Sequence, residues 1–283
     1  MKLANVGAPG KERPIVMTDS GTVFDAGSLT ARFSPDFLGD DGLSRIVEKL
    51  NRGHLPIVDV RGKRIGPPII RPGKIVCIGL NYHQHALETG ATAPSEPILF
   101  LKAPSAIVGP NDPVFIPPGS LKTDWEVELA VVIGTTARYL ASPDQSSAHI
   151  AGFTISNDVS ERAYQLERGG QWDKGKSCES FNPLGPWLVT PDEIPDPQAL
   201  DLRLWVNGEL RQNGTTSDMI FDVSYLVWYV SQFMVLEPGD VINTGTPAGV
   251  ALGSPGLSYL GDGDEVRIEI TGLGSQQQKF QAA

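Results

Sequence analysis

Asp124-Trp-Glu-Val-Glu-Leu-Ala-Val-Val-Ile-Gly134 reads as a β-strand. β-Branched residues dominate its second half and a glycine ends it. Side chains along a strand alternate between faces, so Glu126 and Glu128 point one way while Trp125, Val127 and Leu129 point the other. Two neighbouring carboxylates on a strand that continues apolar repel each other and resist losing their hydration. Water compensates them if the face is solvated, and a divalent cation does so if it is buried. On spacing alone the solvated face is the commoner reading.

Working upstream, residues 1–70 read as a small opening unit of short strands, at Lys2–Val6, Arg13–Met17 and 22–25. In the same unit Leu43, Ile46, Val47 and Leu50 fall at helical spacing before Gly53. The proline-dense stretch Ile65-Gly-Pro-Pro-Ile-Ile-Arg-Pro-Gly73 forms a boundary, leaving 71–283 as a larger unit. A buried strand is expected at 74–79. The turn 82–88 then sets His85 and Glu88 three apart, on one face if helical. A histidine oriented by a carboxylate is a standard general base, and a surface pair of no consequence is the alternative. His83 falls on a different face, His149 reads as a packed histidine and His54 as a helix-end residue.

Downstream, a helix is expected at 142–149, then the strand Ile150–Asn157 ending at Asp158, which offers a third carboxylate. Residues 159–182 are polar, with no clear period, and form a long loop, with room for a short helix, of the kind that often carries function. Arg162, Gln165, Lys174 and Lys176 lie in it, suited to an oxyanion or simply to solvent. Cys178 lacks any signal for activation and reads as a packing residue. Leu202, Leu204 and Val206 alternate up to an Asn207-Gly208 hairpin turn, one long helix spans 218–235, and Val266, Ile268 and Ile270 alternate again. Asn243-Thr-Gly-Thr-Pro-Ala-Gly249 permits close backbone approach, and lacks the Lys-Ser/Thr ending of a phosphate loop. The class is β-rich α+β without regular βα alternation.

The 33 acidic and 23 basic residues give a net charge of −10. With no basic run, this disfavours nucleic acid and anionic membrane as partners. Two cysteines make no disulfide framework. The absence of a signal-like start or a transmembrane-length run makes the cytoplasm the expected location.

Together Gly79-Leu-Asn-Tyr-His-Gln-His-Ala-Leu-Glu88, Leu101-Lys-Ala-Pro-Ser105, Asp124-Trp-Glu-Val-Glu-Leu129, Asn157-Asp-Val-Ser-Glu-Arg162, Lys174-Gly-Lys-Ser177 and Thr244-Gly-Thr-Pro-Ala-Gly249 resemble, in order, the fumarylacetoacetate hydrolase family. The resemblance implies a mixed β-roll catalytic domain behind a variable N-terminal domain, dimeric in most members. It implies Mg²⁺ or Mn²⁺, sometimes seen as Ca²⁺ in crystals, held by Glu126, Glu128 and Asp158. His85 and Glu88 become a water-activating dyad on a short lid. Arg162, Gln165 and Lys176 become contacts to substrate carboxylate and carbonyl oxygens, Thr246 closes the pocket, and Ser105 lies near it.

The loop Glu167-Arg-Gly-Gly-Gln-Trp-Asp-Lys-Gly-Lys176 is similar to bacterial sugar-acid-pathway members. Those include 2,4-diketo-3-deoxy-L-fuconate hydrolases and proteins often labelled ureidoglycolate lyase. Cys178-Glu179 departs from the Phe-Asp pair of many relatives. The implied reaction is hydrolysis of a C–C bond in a 2,4-dioxo acid. The alternatives are oxaloacetate decarboxylation, 2-hydroxymuconate-type isomerisation and ureidoglycolate cleavage, and a non-catalytic metal-binding protein is a third class. The expected partner is a small oxo acid.

Overall fold

The computed structural model describes residues 1–254 and 256–283. Its frame is a nine-stranded mixed sheet and a five-stranded sheet, a β-rich α+β architecture. The strand Val127–Ile133 lies inside the larger sheet and is buried at every position. Ile150–Asn157 runs antiparallel on one side, with Ser156 opposite Glu128 and Asn157 opposite Val127. Val241–Asn243 runs antiparallel on the other side and pairs in parallel with Ile75–Gly79. Ile98–Lys102 then forms the edge.

A strand buried on both faces needs apolar residues at consecutive positions, and the two faces feed two cores. Trp125, Val127, Leu129, Val131 and Ile133 join a cluster with Leu202, Leu204, Val266 and Ile268 of the five-stranded sheet and with Leu226, Val227 and Val230. Ala130 and Val132 join another with Leu3, Val16, Phe33 and Ile46. Lys2–Val6 pairs with Leu188–Val189, so the N-terminal strands continue the same sheet.

Three elements differ from the sequence expectation. The helix expected over 218–235 is Val223–Ser231, because Asp222 caps it by accepting from Tyr225 N at 2.7 Å. Residues Pro143–His149 form a 3₁₀ helix. The polar loop after Asp158 contains two short helices, Arg162–Leu166 and Asp173–Lys176. The Asn207-Gly208 hairpin forms as expected, with both φ angles positive. Among the described residues no helix is long and apolar enough to cross a membrane.

Candidate active site

The glutamate strand begins between its two glutamates: regular pairing starts at Val127 and includes Glu128, whereas Trp125 and Glu126 lie outside any strand. The chain stays tied to its neighbour there, since Asp158 N donates to Glu126 O at 2.9 Å and Glu126 N to Asn157 Oδ1 at 3.2 Å. Antiparallel register therefore brings Asp158 alongside Glu126. Glu126, Glu128 and Asp158 are all buried, and one oxygen from each lies within 4.8 Å of the others.

Three buried cations surround them. Lys176 Nζ stands 2.6 Å from Glu126 Oε2 and 3.0 Å from Asp158 Oδ2. Arg162 Nη2 is 2.7 Å from Glu126 Oε1, and Lys102 Nζ contacts Asp158 Oδ1. Arg162 is held from behind by Asp124, whose Oδ2 accepts from Arg162 Nε at 2.8 Å. The Asp124 carboxylate also accepts from the backbone N–H groups of Trp125, Ala251 and Leu252.

Burial opposes ionisation of Glu126, but Lys176 and Arg162 outweigh it and hold its carboxyl at about 2. Glu128 has no such cation. Burial, then the charges of Asp158 and Glu126, push its carboxyl well above the usual range, and the N–H of Gly245, donating at 2.8 Å, offsets only part of this. Gly245 has φ +99°, and a Cβ there would come within 2.8 Å of Asn81 Cβ, so glycine is what allows that amide to point at Glu128.

With all four ionised, the buried carboxylates Asp124, Glu126, Glu128 and Asp158 exceed the three buried cations by one charge, and it is Glu128 whose ionisation is left uncompensated. Asp158 Oδ2 is buried with the Lys176 ammonium 3.0 Å away but accepts no well-aligned hydrogen bond. Clustered carboxylate oxygens with a charge deficit suit a hard divalent cation, and Glu126, Glu128 and Asp158 would hold it.

These carboxylates open on a cavity of about 190 Å³, room for roughly six waters at ~30 Å³ each. His85, Arg162, Gln165, Lys176 and Thr246 line it together with Glu126 and Glu128. His85 and Glu88 sit on the short helix His83–Glu88. His85 Nδ1 is 3.3 Å from Glu88 Oε1, and Glu88 Oε2 accepts from Gly249 N. Gln165 Oε1 accepts from Arg162 Nη1 at 3.0 Å. The Thr246 hydroxyl donates to Val127 O and accepts from Gln212 Nε2, so it builds the wall. Burial first of all pushes the Cys178 thiol up, consistent with packing.

Residues 74–281 match the family model for the C-terminal domain of fumarylacetoacetate (FAA) hydrolase. The chain belongs to the fumarylacetoacetate hydrolase family. A Burkholderia multivorans relative, provisionally named a hydrolase, is 49% identical over 286 residues and the alignment spans both chains. The crystal structure of a maleylpyruvate hydrolase from Sphingobium sp. SYK-6, in complex with manganese(II) and pyruvate, is 30% identical. It has a TM-score of 0.81 and full coverage of both chains. That of a 5-carboxymethyl-2-hydroxymuconate delta-isomerase from Mycobacterium smegmatis is 32% identical, with a TM-score of 0.79, covering 100% of this chain and 99% of the other. The fumarylacetoacetate hydrolase fold thus accommodates more than one reaction.

Of the site residues implied by the family resemblance, the structure brings all but Ser105 into one neighbourhood; Lys174, also noted in the polar loop, is exposed and donates to Arg168 O at 2.8 Å. Ser105 is exposed in the 3₁₀ turn Pro104–Ala106 and is not among the residues lining the cavity. Lys102, three residues earlier in the same segment, is the one that enters the charge cluster. A lysine near the end of a short strand carries no sequence signal of burial. Asp124 was legible only as part of the strand, since its partners are up to 128 residues away.

Proposed function

We propose that the protein is a divalent-metal-dependent hydrolase that cleaves the C3–C4 bond of a 2,4-dioxo acid, giving pyruvate and a carboxylic acid. Membership of an enzyme family and relatives named as hydrolases support an enzyme of hydrolase type. The single observation that carries the reading is that Glu126 and Glu128 of the buried carboxylate triad and His85 of the His85–Glu88 pair face the same cavity.

A Mg²⁺ or Mn²⁺ ion bound by Glu126, Glu128 and Asp158 supplies Lewis acidity for charge developing on the 2-oxo oxygen. The chain does the rest. Glu88, fixed by Gly249 N–H, accepts from His85 Nδ1–H and leaves Nε2 as the basic nitrogen. His85 takes a proton from water as its oxygen bonds to C4. The C3–C4 bond then breaks, the acyl group leaves as the carboxylic acid, and the electron pair passes into the pyruvate enolate. The imidazolium returns its proton to C3. Burial disfavours charge on Lys176, but Asp158 and Glu126 hold its ammonium up at about 12. It acts as a fixed cation beside the developing oxyanion rather than as a base. Arg162, paired with Asp124, orients Gln165 towards the substrate's oxygens.

Isomerisation or decarboxylation would use the same enolate without adding water. Buried His85 on the cavity wall, backed by half-buried Glu88, favours hydrolysis. The test is release of pyruvate from acetylpyruvate by the Mg²⁺-loaded protein, followed by mass spectrometry alongside oxaloacetate and ureidoglycolate. Undiminished hydrolysis after exhaustive chelation would overturn the reading.

A further inference from the structure

Beyond the charged end, the cavity is walled by Ile78, Leu80, Phe100, Leu166, Trp172 and Leu252. From this wall we infer that the substrate's acyl end is a short apolar chain carrying no second carboxylate and no run of hydroxyls. The inference rests on the hydrolase reading for the head of the substrate and adds what its tail must be.

Three observations carry it. The first is the wall itself. The rings of Phe100 and Trp172 meet edge-on at 5.4 Å. The Trp172 ring lies so close to Gly79 that a Cβ there would come within 2.7 Å of it. Phe100 also faces Lys176 Nζ, 5.1 Å from its ring centre, so the aromatic wall begins where the charged cluster ends.

The second is charge. Arg162 and Lys176 are the only lysine or arginine side chains among the described residues lining the cavity, and both are already paired with carboxylates. Adding a divalent cation to four carboxylates and three cations turns one excess negative charge into one excess positive charge. One substrate carboxylate balances that; a second, at the apolar end, meets no cation and loses its hydration.

The third is hydrogen bonding. The two hydroxyls lining the cavity, of Thr89 and Thr246, both give their protons to backbone carbonyls: His85 O and Ala86 O for Thr89, Val127 O for Thr246. Besides His85, only the Gln165 amide and the Trp172 indole N–H remain as uncharged side-chain donors on the described lining, too few to replace the water that a polyhydroxylated tail would surrender.

The experiment is a calorimetric titration of the Mg²⁺-loaded protein with 2-oxo acids that contain no cleavable diketone. The series is pyruvate, 2-oxobutanoate, 2-oxohexanoate, 2-oxoadipate and a 3-deoxy-2-oxo sugar acid. Affinity should rise up to about fourfold per methylene from pyruvate to 2-oxohexanoate. 2-Oxoadipate, which replaces the terminal methyl by a carboxylate, should bind about tenfold or more weakly than 2-oxohexanoate, and so should the sugar acid. Leu166→Arg, at a half-exposed position of the wall, should reverse the order of 2-oxohexanoate and 2-oxoadipate. Equal or tighter binding of 2-oxoadipate or of the sugar acid by the unaltered protein overturns the inference. Acetylpyruvate turnover is scored separately. A protein that shows the expected binding order without hydrolysis loses the reaction and keeps the wall. One that hydrolyses acetylpyruvate yet prefers 2-oxoadipate keeps the reaction and loses the wall. Binding of none of the acids sinks both.

Discussion

Lys102 and Asp158 form an ion pair in which both side chains are completely buried. Lys102 also donates to Val159 O at 3.1 Å, so it fixes the carboxylate and the backbone that follows it. Removing one member of a buried pair leaves the other charged and uncompensated. Lys102→Met should therefore lose about 3–5 kcal/mol of stability, measured by urea unfolding in the absence of divalent cations. A loss within experimental error would mean that Asp158 is held by Lys176 alone.

His85→Ala separates the base from the cation site. Turnover of acetylpyruvate should fall by about 10²–10⁴, while Mg²⁺ affinity by calorimetry stays at the unaltered value, because His85 is outside the carboxylate triad. A KM effect with kcat preserved would assign His85 to substrate binding.

Glu128 makes opposite predictions with and without metal. Its folded-state pKa is raised by burial and by the charges of Asp158 and Glu126. As pH rises through the unfolded value towards the folded one, ionising it therefore subtracts stability. Glu128→Gln removes that repulsion, so at neutral pH and without metal the variant should melt at or above the unaltered protein. Saturating Mg²⁺ should stabilise only the unaltered protein, by about 2.7 kcal/mol at a hundred times Kd. Differential scanning fluorimetry with and without chelator reads both; a metal-dependent rise retained in the variant would remove Glu128 from the ligand set.

Both thiols are held up by burial, Cys77 well above its ordinary value and Cys178 less so. The thiolate is the reactive form, so each should alkylate more slowly at pH 8 than a free cysteine, and Cys77, fully buried, more slowly than Cys178. Cys178→Ser should leave kcat within about twofold, as surface and packing changes usually do. Peptide mass spectrometry after iodoacetamide treatment gives the rates; fast loss of activity on Cys178 labelling would point to a direct role.

The alternation of 202–206 placed a strand because only one of its faces is buried, and the apolar, β-branched run of Ile150–Asn157 placed another, which is buried on both faces. The common face of Glu126 and Glu128 was legible from strand alternation alone. Their burial was not: it depends on Asp158, Lys176 and Arg162, whose approach is set by pairing between strands and not by any local pattern. The interruption at Trp125–Glu126 was equally hidden, since Asp124 turns away to bond Ala251 N and Leu252 N. The helix expected from 218 was overlong because its aromatic run stays apolar beyond the cap, and Asp222, the residue that starts it, looks like any other polar position. Ser105 was singled out where Lys102 matters, since a buried lysine and a surface lysine are written alike.

Glu128 lies in the large sheet and Glu126 just before its regular pairing begins, whereas Arg162, Gln165, Leu166, Trp172 and Lys176 all come from the segment that follows Asp158. That segment is pinned to the edge strand at only a few points, Asp173 to Leu101 N and Ser177 to Ala103 N among them. The two glutamates and the cations Arg162 and Lys176 that flank them thus come from different parts of the chain. Replacing Leu166 or Trp172 can therefore reshape part of the cavity wall without altering the glutamate strand, provided Arg162 and Lys176 keep their ion pairs.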